Sequence, residues 1–552
     1  MRPPGEEGGH SQGDTAALLA TLMSAKPEQE VATISLLDGM FAFGLWNSGQ
    51  ACMLLARDIA GEKPLYTLRL DRYTLAACST AAGLIRLAVL AGNPLKIDPL
   101  GIALWLKHGY SSVMPLAGLS EVAPGTAVRW GAGRGELLER VIGTINARDP
   151  RPEALELPEA LNIERGALSS GKLASLLAAV MATRLEADVP MGCLLSGGVD
   201  SSVVAALAQR KLLETGRGPL QTFCLAVDDP AFDESSHAAA VAKHLGTRHT
   251  TLSCEQDAAA DMLACIAELG LPFGDSSILP TTWVSRAVRP HVTVALGGDG
   301  GDELFAGYSR YEASRLIASR HPLALAALLT PVWAAGLTGK RAARMAVASK
   351  HLGYHDLLTI FTSPELLAVV PGASRHGALA EGLTRWYRDR PTLADARHDD
   401  FAAYLPQDLM RKVDTASMSV ALEVRSPLLA RSICRTLLSV DLFAARGGTQ
   451  RKGLLRAVAR ELVPAKHVDR PKQGFGVPIG RWIAEDFGKL GALALDCAAG
   501  QPFDGELASI IDGRSLSRML TEQSTGDRDY GQRAYAMMAL VCWSRWLSSI
   551  SK

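Results

Sequence analysis

One short turn limits what this chain can fold into more than any other stretch. Residues 196–202 read Ser-Gly-Gly-Val-Asp-Ser-Ser. Cys193-Leu194-Leu195 before them has the composition of a buried strand end, and Val203-Val204-Ala205-Ala206-Leu207 after them reads as a helix facing a core. A strand, a glycine turn and a helix N-terminus in succession make an anion site. Backbone N–H groups point outward there, and the helix dipole favours negative charge. Gly197 and Gly198 let the backbone come close to a phosphate and take angles that a side chain would forbid. Asp200 adds a carboxylate suited to a phosphate-bound Mg²⁺. No Gly-Lys-Ser/Thr follows, so this is not a Walker loop.

A second motif, Gly297-Gly298-Asp299-Gly300-Gly301-Asp302-Glu303, returns at once to apolar Leu304-Phe305. A helix start there would explain one carboxylate through the dipole. Three carboxylates beside a phosphate loop point to Mg²⁺, with Asp200 and Asp302 supplying one ligand each and phosphate oxygens and water the rest. Apolar runs at Phe223–Val227 and Val292–Leu296, with helical stretches such as 234–244 between them, predict a parallel sheet with crossover helices. Ligands in such sheets bind at the carboxyl ends of strands, where the loops 196–202, 226–234 and 297–303 begin. His237, His244 and His249 lie on or after one helix with no second cluster, so they read as solvated or packed rather than as metal ligands.

The chain has 552 residues, enough for more than one domain. Lys+Arg and Asp+Glu each number 57, so no charge imbalance points to nucleic acid or a membrane surface. Nine scattered cysteines without a Cys-x-x-Cys pair fit a cytoplasmic, reducing setting. The polar start has no secretory core. The longest apolar stretch, 323–337, is broken by Pro331 and is too short to cross a bilayer; a buried helix pair is expected there. The Pro- and charge-rich stretch 146–170 reads as a linker between a first domain, 1–145, and a second, 171–552. In the first domain, runs at 40–46, 51–56 and 73–77 read as antiparallel strands, and 14–24 and 98–107 as helices, giving an α+β domain with sheet-on-sheet packing.

The loop 196–202 resembles the pyrophosphate-binding loop of enzymes that split ATP between its α and β phosphates. With the second motif, FDESSHAAAVAKHLGTRH (232–249), DLMRKVDTASMSVALEVRSPLL (408–429) and RPKQGFGVPIGRW (470–482), it resembles the synthetase domain of the asparagine synthetase family. LDGMFAFGLW (37–46) and LARDIAGEKPLY (55–66) resemble that family's N-terminal domain. The resemblance implies an α/β parallel-sheet ATP-pyrophosphatase fold, adenine nucleotide alpha hydrolase-like, for the second domain. For the first it implies an α+β remnant of an N-terminal-nucleophile (class II glutamine amidotransferase) sandwich. In the family that domain hydrolyses glutamine with an N-terminal cysteine. Here Arg2 follows Met1, the first cysteine is Cys52, and the glutamine-binding Asn-Gly-Glu segment is missing, with only Gly13-Asp14-Thr15 similar to a later contact. Without a nucleophile there is no thioester and no released ammonia. The expectation is a degenerate domain that packs structurally on the second; a misplaced start codon is the alternative.

Carried over by position, the resemblance makes Ser196 to Ser202 the pyrophosphate grip and Asp200 and Asp302 the Mg²⁺ ligands. It lines the adenosine with Leu194, Leu225, Gly297 and Gly298. Asp299 corresponds to an acidic residue near the amine-handling step, Glu423 to a buried glutamate behind the acyl site, and Lys472 to the lysine that steadies the transition state. Lys412 and Lys452 correspond to helpers near the phosphates. A fixed cation such as Lys472 stabilises charge building on phosphate or the tetrahedral carbon, and losing one such contact costs about 3–4 kcal/mol. The chain departs from the family at three places: Gly297 for Ser, Thr415 for Arg, and the pair Ala430-Arg431 for an Asp-His-like pair. The last two are expected near the acyl side.

The expected activity is an ATP-dependent, AMP-forming amide ligation needing ATP and Mg²⁺. The leading substrate is a lasso-type peptide, closed as a macrolactam between its N-terminal amine and an Asp or Glu side chain, with a precursor peptide and a leader protease as partners. Asparagine synthesis is the runner-up. A non-catalytic nucleotide-binding scaffold is disfavoured by Asp200, Asp302 and Lys472. Base adenylation of tRNA is disfavoured by the absence of a basic face.

Overall fold

A computed structural model describes residues 13–25, 29–132, 137–144, 168–227, 229, 233–318, 354–371, 396–440, 450–469, 476–500, 502–503 and 505–550. The linker expected at 146–170 falls almost wholly outside these residues, and the apolar stretch 323–337 entirely so.

The first part is built on two antiparallel sheets. One holds β1 (Ala42–Asn47), β2 (Cys52–Arg57), β6 (Thr126–Ala132) and β7 (Leu137–Thr144) in the order β1-β2-β6-β7. The other holds β3 (Tyr66–Arg69), β4 (Leu75–Cys78) and β5 (Leu119–Glu121) in the order β4-β3-β5. Leu55, Val128 and Trp130 of the first sheet share one apolar cluster with Leu75 and Ala77 of the second, so the sheets pack face to face. Helix Pro99–His108 has strong local ends. Asp98 caps it by accepting from the Leu100 and Gly101 N–H groups, Pro99 opens it, and Gly109 closes it at φ 83°.

The second part is organised by a parallel sheet of β8 (Met191–Leu194), β9 (Gln221–Leu225), β10 (Arg248–Leu252), β11 (Val294–Leu296) and β12 (Glu423–Arg425). Their order is β10-β9-β8-β11-β12. The chain winds outward from β8 to β10 on one side and then returns to place β11 and β12 on the other. β8 and β11 therefore flank the point where the winding reverses, with Leu296 beside Cys193. A crevice opens at the carboxyl ends of strands at such a point. The sheet strands are short because both faces are covered by helices, and their residues Cys193, Phe223 and Ala295 are fully buried or nearly so. Helix Gln532–Ile550 supplies an unbroken buried run from Arg533 to Ser544. No helix among the described residues is long and apolar enough to cross a membrane.

The two parts meet closely. Gly270 sits at φ 75°, and a Cβ there would lie 2.5 Å from Ala82 Cα of the first part. Gly270→Ala is expected to cost about 2 kcal/mol or more, from backbone strain and parting of the two parts. A thermal melt of the purified variant, read against the parent, measures it.

Candidate active site

The loop after β8 turns at Gly197, whose φ of 73° suits glycine. A Cβ there would meet His237 C at 2.8 Å and Ala238 N at 2.9 Å, so the loop is pressed against the next crossover helix. Gly198 begins helix Val199–Glu214 and carries no side-chain cap, which leaves that N-terminus open to an anion. Ser201 Oγ lies 3.1 Å from Ser196 Oγ and accepts from the Ser196 N–H at 3.3 Å, holding the turn closed.

The loop after β11 lies directly on it. A Cβ on Gly298 would sit 2.9 Å from Ser201 N, and one on Gly301 would sit 2.5 Å from Asp200 Oδ1. At 298 the backbone of the first loop fills the space a side chain would need, and at 301 the Asp200 carboxylate does. This contact brings Asp200 and Asp302 to a single cation, the Lys452 ammonium, which pairs with Asp200 Oδ2 and stands 2.9 Å from Asp302 Oδ1. Burial works against this ammonium, but the carboxylates of Asp200 and Asp302 outweigh it and hold its pKa above the ordinary lysine value. Lys452 has a left-handed backbone, φ 54°, at the start of helix Gly453–Leu462.

A cavity of about 750 Å³ opens over both loops. Of the residues predicted from sequence, Leu194, Ser196, Gly198, Asp200, Ser201, Leu225, Gly297, Gly298, Asp299, Asp302, Lys412 and Lys452 all line it. Trp283, Val284 and Trp482 add apolar wall beside Leu194 and Leu225. Gly197 shapes the loop from behind. Ser202 is only 2% exposed and does not line the cavity, so it packs under the loop instead. Lys472 lies outside the described residues.

Two expectations are corrected by where the chain runs. Glu423 is not a buried residue behind the acyl site. Side chains alternate along β12, Val424 takes the cavity side, and Glu423 turns away, 38% exposed and accepting from Arg425 Nε at 2.6 Å. Thr415 and Ala430-Arg431, expected near the acyl side, do not line the cavity. The Arg431 N–H instead donates to Asp38 of the first part at 3.2 Å.

The opposite end of the cavity holds a second buried lysine. Lys412 Nζ lies 2.8 Å from Asp275 Oδ2 and 2.8 Å from Ser277 Oγ. Burial opposes its charge, but the carboxylates of Asp275 and Asp408 raise its pKa. Asp299, which also lines the cavity, is raised by burial, with Lys412 pulling the other way. Tyr308 donates to Glu303, and both line the cavity with Tyr404. Burial and the neighbouring Asp302 push Glu303 up to about 7. Asp275 and Tyr404 escaped the sequence reading. Asp275 had a usable signal, since Asp275-Ser276-Ser277 forms a turn in which the carboxylate accepts from the Ser277 N–H before helix Ile278–Val288. Tyr404 had none. It sits in the wide-turned helix Asp400–Met410, with Pro406 inside, a shape that no local pattern announces.

Comparison with known proteins follows this geometry. Residues 172–548 match the family model for asparagine synthase, and residues 6–139 that for a glutamine amidotransferase domain. A Mycobacterium tuberculosis protein named "Putative asparagine synthetase (glutamine-hydrolyzing)" is 27% identical over 97% of this chain and 80% of its own length. Asparagine synthetase (glutamine-hydrolyzing) 1 of Bacillus subtilis is 25% identical over 86% of this chain and 73% of its own. The human asparagine synthetase (glutamine-hydrolyzing) is 29% identical over 50% of this chain and 47% of its own. The fold and these matches define an ATP-using carbon–nitrogen ligase. The chain belongs to the asparagine synthase family, with an amidotransferase-type first part and an ATP-dependent, amide-forming second part.

Two outcomes follow. Gly301→Ala places a methyl against the Asp200 carboxylate. It is expected to lower ATP-dependent pyrophosphate release by about 10² or more while the far-ultraviolet circular dichroism stays unchanged. Asp408 is pushed up to about 7 from 3.8, by burial and then by Asp275, against Lys412 and Tyr404. A carboxyl raised in this way stabilises the fold fully below its unfolded value and loses that contribution as pH rises through its folded value. Asp408→Asn should therefore raise the melting temperature relative to the parent at about pH 8 and give no gain near pH 4, as melts across that range will read.

Proposed function

We propose that the cavity binds ATP with Mg²⁺, transfers AMP to a carboxylate, and lets an amine displace the AMP. The observation that carries this reading is the meeting of Asp200 and Asp302, from two separate loops, on one cation at an uncapped helix N-terminus. Two carboxylates leave most of an octahedron to phosphate oxygens and water, which is how Mg²⁺ is bound beside nucleotides. Among the described residues no group of three or more His, Cys, Asp or Glu side chains is placed to hold a metal by itself, so the donor set suits a metal brought in with the nucleotide. When bound, Mg²⁺ would neutralise charge on the phosphates.

The chain's own groups then have these parts. The N–H groups of the 196–202 loop and the Lys452 ammonium take the β and γ phosphates. Leu194, Leu225, Gly297 and Gly298 bed the adenosine. A carboxylate oxygen attacks the α phosphorus, pyrophosphate leaves, and an acyl-adenylate forms. The amine adds to the acyl carbon, loses a proton, and AMP leaves with the bonding electrons of the C–O bond. Lys412, Asp299 and Lys472 belong to this second half, where charge builds on the tetrahedral carbon. The division into 1–145, 146–170 and 171–552 accompanies this reading, the first unit serving as a support.

The acceptor we favour is a peptide carboxylate, an Asp or Glu side chain joined to the peptide's own N-terminal amine to close a lasso-type macrolactam. A precursor peptide and a leader protease would then be its partners. What supports an amine other than glutamine nitrogen is the state of the first part's cysteines. Among its described residues, Cys52 is buried and hydrogen-bonded to Gln50, and Cys78 is half-buried near Thr80. Neither stands as an open nucleophile. Asparagine formation is the second reading, favoured by the names of the relatives. Pyrophosphate release decides between them. With ATP and Mg²⁺, a linear peptide bearing a free amine and an internal Asp or Glu is expected to drive release and to lose one water in mass. Release with aspartate plus ammonia or glutamine, and none with peptide, would establish the second reading; release with no acceptor would defeat both.

A further inference from the structure

We infer that Glu121, a residue of the first part, is a positioning residue of the ligase cavity, acting through Arg411 on Lys412. The inference rests on the reading that Lys412 serves the reaction in the cavity.

Glu121 ends β5, at the edge of the three-stranded sheet. Its two carboxylate oxygens are divided between two guanidinium groups. Oε1 accepts from Arg57 Nη1 at 2.9 Å, and Oε2 accepts from Arg411 Nη2 at 2.8 Å. The three side chains are 6%, 1% and 5% exposed, so the triad is dry. Arg57 is itself fixed, donating to the carbonyls of Gly61, Lys63 and Val122. The first part thus presents a rigid carboxylate, and Arg411 is the group that must find it.

Arg411 opens helix Arg411–Met418, and Lys412 is the next residue. Successive helical side chains diverge by about 100°, so one residue faces the first part while its neighbour faces the cavity. Asp414 returns to the interface one turn on and meets Lys63 at 2.7 Å. The turn ahead of Glu121's partners also touches the preceding segment, where a Cβ on Gly61 would lie 2.8 Å from Pro406 Cβ. The helix that carries Lys412 and Val413 into the cavity is therefore seated along its back on the first part, and the preceding helix with Tyr404 touches the first part through Pro406. Without the Glu121 carboxylate, a buried guanidinium whose Nε already has no hydrogen-bond partner would lose its charge partner, and the helix would shift to hydrate it. A shift of about 1 Å at Lys412 is enough to cost a large factor in rate.

The test is a double-mutant cycle on the full chain, with ATP-dependent pyrophosphate release as the rate and a thermal melt beside each variant. Glu121→Gln is expected to lower kcat by about tenfold with KM for ATP within about twofold, and Lys412→Met to lower kcat further. The double variant should be no slower than Lys412→Met alone. Multiplicative losses, or Glu121→Gln at the parent rate while Lys412→Met is slow, would overturn the inference and leave the cavity reading standing. Lys412→Met at the parent rate would overturn the role of Lys412 and the inference with it. Should Glu121→Gln melt below the assay temperature, Arg411→Lys, which keeps the charge and loses the fork, takes its place in the same cycle with the same expectations.

Discussion

Two carboxylates on separate loops share one buried ammonium, and the rest of the site is arranged around that fact. Asp200 and Asp302 would repel each other at this range if nothing positive stood between them. Lys452 supplies the charge from a third segment, at a left-handed backbone position. The sheet order makes the meeting possible, because reversal of winding between β8 and β11 is what puts both loops at one crevice. The glycines make it close enough, because a side chain at 298 or 301 would occupy the space of Asp200 and Ser201. Topology, turn chemistry and electrostatics agree at this point, and the agreement is what gives the family resemblance a physical content.

The cavity is bounded by a second buried lysine with a different kind of support. Lys452 is balanced by Asp200 and Asp302, the two carboxylates of the phosphate-type loops. Lys412 is balanced by Asp275 and Ser277, which belong to no phosphate loop, and its helix leans on the first part of the chain through Arg411. One cation sits where charge comes and goes, and the other sits on a fixed frame. The first part therefore adds to the ligase end of the molecule whatever its own chemistry is.

Much of this was legible in the residues. Helix Asp14–Ser24 spans the residues expected, and strands β1, β2, β8, β9 and β11 lie within or beside the apolar runs that announced them. The two loops were legible because their glycines and carboxylates are poor material for anything else. What escaped was what long-range packing decides. β12 is three residues with a charged one at each end, and only pairing with β11 makes it a strand. The face Glu423 takes follows from that pairing, which is why position alone assigned it wrongly to the interior. Arg431 was expected near the acyl side from the family resemblance, yet its N–H donates to Asp38, a partner far away in the chain. Asp408 and Tyr404 acquire their environment from a wide-turned helix that has no sequence signature.

The parallel sheet also sets an order of events during synthesis. β12 pairs residue 423 with residue 294, and Lys452 comes later still. A ribosome-bound chain that has emerged only through the second glycine loop holds both aspartates but neither their counter-charge nor the strand that closes the sheet. Long-range pairing of this kind is slow to form and leaves edges exposed meanwhile. The two aspartate loops are thus made well before the cation that joins them and the strand that completes the sheet.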